Sequence, residues 1–67
     1  MVNKKELNKS LTIHEITPQM IAEAAGVHVS TVYRWLANPE KMNIGQIDLI
    51  KTLTGMDVQE FVKVFYC

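Results

Sequence analysis

Sixty-seven residues suffice for one domain, 1–67, with a core that is only just adequate. With 48% of residues apolar the chain is too hydrophobic for a disordered tail, and seven Lys and Arg against seven Asp and Glu leave no global field to attract a phosphate backbone. One cysteine, Cys67, excludes an internal disulfide and makes a reducing cytoplasm the natural compartment, no apolar run approaches a membrane span, and the basic start MVNKKELNKS lacks the apolar core of a secretion signal.

Helical spacing follows in chain order. Asn3 with Glu6 has capping-box spacing, and Leu7 and Leu11 carry a first helix to about Ile13, with His14 near its end, where a cation is mildly favoured. Thr17 is the predicted N-cap of a second helix, Pro18 falls at the first helical position, and Ile16 with Ile21 has the spacing of a hydrophobic staple. Ile21, Ala24 and Ala25 are expected to line its inner face, with Ala22 and Ala25 permitting close approach of a neighbour. Gly26 ends this helix in the left-handed conformation, and Val27 is expected to plug the turn into the core. A third helix is predicted from about Val29 to Ala37, with Val32, Trp35 and Leu36 inward and Val29, Ser30, Tyr33 and Arg34 outward.

Asn38-Pro39-Glu40-Lys41 reads as a loop, because the residue before proline is pushed away from helical geometry. Asn43 with Gln46 repeats the capping-box spacing, and Ile47, Ile50 and Leu53 share a face until Gly55 stops the helix. Asp57 with Glu60 opens a last helix, with Val58, Phe61, Val62 and Phe65 expected inward. No repeat, linker or strand pattern competes with this all-α reading.

The segment AxxxGVxxSTVxRW, from Ala22 to Trp35, resembles the helix-turn-helix of the lambda-repressor/Cro-like (Xre) regulators of phages and bacteria. The resemblance implies a compact five-helix domain whose helix-turn-helix occupies about residues 17–38, acting as a DNA-binding transcriptional regulator, in a phage lysis–lysogeny type of switch inside the bacterial host cell. Val29, Ser30 and Arg34 match positions that in the family enter the major groove and meet base edges. Pro18 stands where the family often has a glutamine on a phosphate, which leaves that contact to Gln19 or a backbone amide. His28 stands where the family often caps with Ser or Thr.

Two functional readings follow. In the first, the partner is double-stranded operator DNA. Arg34 donates its planar fork to a guanine, Ser30 accepts from or donates to a neighbouring base, and Tyr33 or Lys41 reaches a phosphate. Val29 either touches a thymine methyl or packs partly buried. In the second, Val29, Tyr33 and Arg34 dock on a phage repressor protein, which the chain modulates or antagonises. Zero net charge, few phosphate-reaching cations and an aromatic on the outer face favour that alternative.

An enzyme is not expected. His14, His28 and Cys67 lack metal-ligand spacing, no glycine-rich phosphate loop is present, and capping explains Asp57 and Glu60. No cofactor and no metal site is predicted, and Met20, Met42 and Met56 read as packing or surface residues. Homodimerisation through apolar Val64, Phe65, Tyr66 and Cys67 is a further expectation.

Overall fold

A computed structural model describes residues 2–66. Among them the chain forms α1 (Lys4–Ile13), α2 (Pro18–Ala25), α3 (Val29–Ala37), α4 (Ile44–Thr54) and α5 (Val58–Phe65), with one 3-10 turn at Pro39–Lys41 between α3 and α4 and no strand. The radius of gyration, 10.7 Å, agrees with about 11 Å for a compact chain of this length. The all-helical globule is therefore packed, not merely helical.

Each helix starts on a side-chain cap. Asn3 Oδ1 accepts from the Glu6 amide at 3.1 Å, Thr17 Oγ1 from the Met20 amide at 3.2 Å, Asn43 Oδ1 from the Gln46 amide at 2.8 Å and Asp57 Oδ1 from the Glu60 amide at 2.8 Å. The Asn43–Gln46 box is complete, since Gln46 Oε1 accepts from the Asn43 amide at 3.1 Å. At Thr17 the returning acceptor is the Met20 thioether, 3.5 Å from the Thr17 nitrogen. The boxes at Asn3 and Asp57 are only half formed. Glu6 points instead toward Lys63, and Glu60 reaches across to α1.

The helix ends are equally local. Gly26 sits at φ +71, its amide donates to the Glu23 carbonyl at 3.4 Å, and the Val27 amide donates to the Ala22 carbonyl at 3.1 Å. This 6→1 and 5→2 pair is a Schellman ending. The same pair of bonds closes α1, from Ile16 to Leu11 at 2.9 Å and from Glu15 to Thr12 at 3.1 Å. Here the left-handed residue is Glu15, at φ +58, where a side chain is strained. Ile16 packs half-buried against the core.

The core takes one fully buried side chain from every helix: Leu7, Ile21, Val32, Ile50 and Val64. Around them pack buried Leu11, Ala22, Met42, Met56 and Phe65, and half-buried Ile16, Val29, Trp35, Leu36, Ile47, Leu53 and Phe61. The most extensive interhelical contact is α2 with α3, followed by α1 with α5 and α2 with α4. The Asn3 amide also donates to the Val64 carbonyl at 2.7 Å, tying the start of α1 to the last turn of α5.

Several inward assignments fail. Val27 is 37% exposed and lies outside the core, because the Schellman turn satisfies its amide without burying its side chain. Ala24 is exposed while Ala22 is buried, so the inner stripe of α2 runs through Ile21 and Ala22. In α5, Phe65 is buried and Phe61 half-buried as expected, but Val58 and Val62 are exposed at 73% and 47% and Val64 joins the core in their place. The stripe is rotated because α5 packs on α1 through Val64 and Glu60. Burial of Val64 and Phe65 leaves Tyr66 as the exposed member of the apolar set expected to mediate dimerisation, and Cys67 lies outside the described residues.

Two substitutions at the left-handed positions have opposite expected signs. Nothing lies within 4 Å of a Cβ built on Gly26, so Gly26→Ala should cost the backbone strain less the smaller chain entropy of alanine, a net of about 0.5–1 kcal/mol. Glu15→Gly should stabilise by about 0.5–1 kcal/mol, after the larger chain entropy of glycine is subtracted. Urea unfolding monitored by circular dichroism measures both.

Candidate nucleic-acid interface

The exposed surface of α3 is set by how little of that helix the core needs. Val32 is its one fully buried residue, while Trp35, Leu36, Val29 and Thr31 are half-buried. Ser30, Tyr33, Arg34 and Ala37 are exposed, with Tyr33 at 59%. Three of the predicted contact residues thus share the outer side of one short helix. Val29 takes the packed one of its two expected roles, half-buried on the core and not fully outward, which withdraws much of its side chain from any partner.

Past α3 the chain turns through Asn38 into the 3-10 turn, anchored by the buried Pro39 ring and by Met42, whose amide donates to the Pro39 carbonyl at 3.2 Å. This turn carries Lys41 back beside α3. Arg34, Trp35, Asn38, Lys41 and Met42 line one cleft of about 290 Å³, and no acidic side chain is among them. Among the described residues the ion pairs are His14–Glu60 and Glu6–Lys63, so neither Arg34 nor Lys41 is neutralised by a carboxylate. Two free cations beside an indole and a carboxamide make a site for an anionic oxygen. Gln19 is exposed in the first turn of α2. At the other end of α3, His28 caps the helix through Nδ1, which accepts from the Ser30 amide at 3.1 Å.

No protein-family model, curated protein or solved structure matches the chain.

A second cluster, which sequence spacing does not reveal, joins α1 to α5. Glu60 accepts from the buried Ser10 hydroxyl, and His14 Nε2 lies 3.0 Å from both Glu60 oxygens. It borders a larger cleft of about 420 Å³ lined also by Lys9, Ile13 and Lys63. The chemical order is Ser–Glu–His, with the carboxylate in the middle. His14 is not hydrogen-bonded to Ser10, so it is not placed to take the hydroxyl proton as a general base would. The arrangement is a polar clasp between the first and last helices. Its members are 50 and 46 residues apart in sequence, beyond the reach of any local motif. Among the described residues no three His, Cys, Asp or Glu side chains converge as a metal site.

The Ser10 hydroxyl and the His14 ring, with Lys63 beyond, hold the Glu60 carboxyl below its usual value of 4.5 against the opposing effect of burial. Its folded value lies below its unfolded one, so its contribution is complete above the ordinary carboxylate range and is lost as pH falls through the lower, folded value. Wild-type protein should therefore lose more urea resistance between about pH 5 and pH 3 than Glu60→Gln, which has no carboxylate to protonate. Equal losses in the two proteins would remove the clasp from the account.

Proposed function

We propose that the chain is a non-enzymatic, DNA-binding transcriptional regulator, in which α2, the Gly26 turn and α3 act as a helix-turn-helix of lambda-repressor-like type and α3 enters the major groove. The observation that carries this reading is the acid-free cleft holding Arg34 and Lys41 beside the exposed side of α3. A chain with zero net charge has no long-range pull on DNA, so local concentration of unpaired cations has to supply it. In this reading Arg34 meets a guanine edge, Ser30 a neighbouring base, and Lys41, Tyr33 and Gln19 the backbone. The genetic setting proposed is a phage lysis–lysogeny type of switch in the cytoplasm of a bacterial host, with homodimers matching a two-fold operator.

A second reading, docking on a cognate repressor protein, draws on a different observation. Met20, Val27 and Tyr33, all large and apolar or aromatic, are exposed on α2, the turn and α3, and such residues suit a protein interface better than a phosphate surface.

Gel-shift titration with regulatory DNA, across a range of salt concentrations and with and without the repressor, separates the two. On the first reading the protein binds duplex alone, Arg34→Ala weakens the preferred site by about 5- to 150-fold, and Lys41→Ala weakens all sites alike and lowers the salt slope by about one. On the second, duplex is not shifted by the protein alone and a complex with the repressor is broken by Tyr33→Ala.

A further inference from the structure

The cleft between α1 and α5 and the cleft beside α3 differ in charge. Three carboxylates, Glu6, Asp57 and Glu60, line the first and would repel an anion. None lines the second, where Arg34 and Lys41 meet Trp35, Asn38 and Met42. A duplex phosphate engaging the two cations would leave the rest of that lining unused.

The remainder is mostly apolar. Trp35 is half-buried and supplies a flat indole, and Met42 is buried, a polarisable thioether of the kind that packs well on aromatic rings. Asn38 adds a carboxamide that makes no capping bond to the 3-10 turn after it. The backbone carrying these groups is held by its own hydrogen bonds. The Asn38 amide donates to the Arg34 carbonyl at 3.2 Å, the Lys41 amide to the Asn38 carbonyl at 3.0 Å and the Met42 amide to the Pro39 carbonyl at 3.2 Å. The walls are therefore ordered before any ligand arrives, which lowers the entropy cost of binding.

We infer that this cleft binds a small planar aromatic acid, its ring against Trp35 and Met42 and its carboxylate on Arg34 and Lys41, and that such a ligand competes with duplex DNA for the two cations. The guanidinium fork matches a carboxylate through two parallel hydrogen bonds, and the Lys41 ammonium adds a point charge. At about 290 Å³ the cleft lies at the lower edge of the range of ligand cavities, about 300–1,000 Å³, which suits one ring system and its acid group. A neutral ring satisfies only the apolar half, and an inorganic anion only the cations. The competition rests on the proposed contact of α3 with duplex, whereas occupancy of the cleft concerns the free protein alone.

Trp35 is the single tryptophan of the chain, so its fluorescence reports the cleft directly. Titration of the intact, DNA-free protein at constant ionic strength with benzoate, benzamide and inorganic phosphate separates the two halves of the site. Benzoate should give a saturable change with an affinity about tenfold above either of the others, which lack the charge-assisted hydrogen bonds or the apolar contact. Arg34 is exposed, so Arg34→Ala should stay folded and weaken benzoate by about tenfold. No saturable change, equal affinity for benzoate and either control, or benzoate binding untouched by Arg34→Ala overturns the site. Gel shifts test the competition. At ten times its Kd, benzoate should raise the apparent Kd for duplex about elevenfold, while benzamide and chloride of equal ionic strength should not. Duplex affinity that bound benzoate leaves unchanged overturns the competition. A protein that shifts no duplex even at low salt overturns the groove reading, a failure that the fluorescence titration does not share.

Discussion

One fully buried side chain, Val32, holds α3 in the bundle, and the availability of the rest of that helix follows from it. Val32 belongs to a core that takes one such residue from each helix, so α3 is seated at the same centre as its neighbours. Half-buried Trp35 and Leu36 steady its C-terminal half and Val29 its start. The Schellman ending at Gly26 reverses the chain between α2 and α3 without consuming any α3 side chain. What remains outward is a short row of Ser30, Tyr33 and Arg34 on a backbone that packing has already ordered. A partner meeting that row pays little ordering entropy.

Charge is distributed unevenly within a neutral chain. Glu6 and Glu60 are engaged by Lys63, Ser10 and His14 at the α1–α5 junction, so two of the seven carboxylates are spent on holding the first and last helices together. Arg34 and Lys41 lie in a separate cleft without an acid in its lining. A chain with no net charge thus still has a local cationic cleft. The clasp also fixes α5 in the rotation that buries Val64 and leaves Val58 and Val62 in solvent.

Local signals account for most of what the sequence reveals. The caps at Asn3, Thr17, Asn43 and Asp57 and the glycine stops at Gly26 and Gly55 bracket the helices closely, because each involves residues within four positions of one another. Glu15 was not legible as a helix stop, since nothing about a glutamate marks it for a left-handed backbone. On α5 the helical spacing of Val58, Phe61, Val62 and Phe65 reads Phe61 and Phe65 correctly as inward but not Val58 and Val62, because a stripe turned toward Val64 fits the same spacing and only the packing against α1 chooses. The Ser10–Glu60–His14 contacts and the shared cleft of Arg34 and Lys41 depend on tertiary placement. The outward positions of Ser30, Tyr33 and Arg34 were readable, because Val32, Trp35 and Leu36 define the opposite side of the same helix.

The central claim is that the outer side of α3, with Lys41 beside it, is the surface that meets nucleic acid. Amide chemical-shift mapping during titration with duplex DNA at low salt tests it residue by residue. The account predicts that perturbations concentrate at Gln19, His28, Ser30, Tyr33, Arg34 and Lys41 and leave Ile13, Gln59 and Lys63 unmoved. Perturbations centred on the α1–α5 cleft, or none anywhere on the chain, would contradict it.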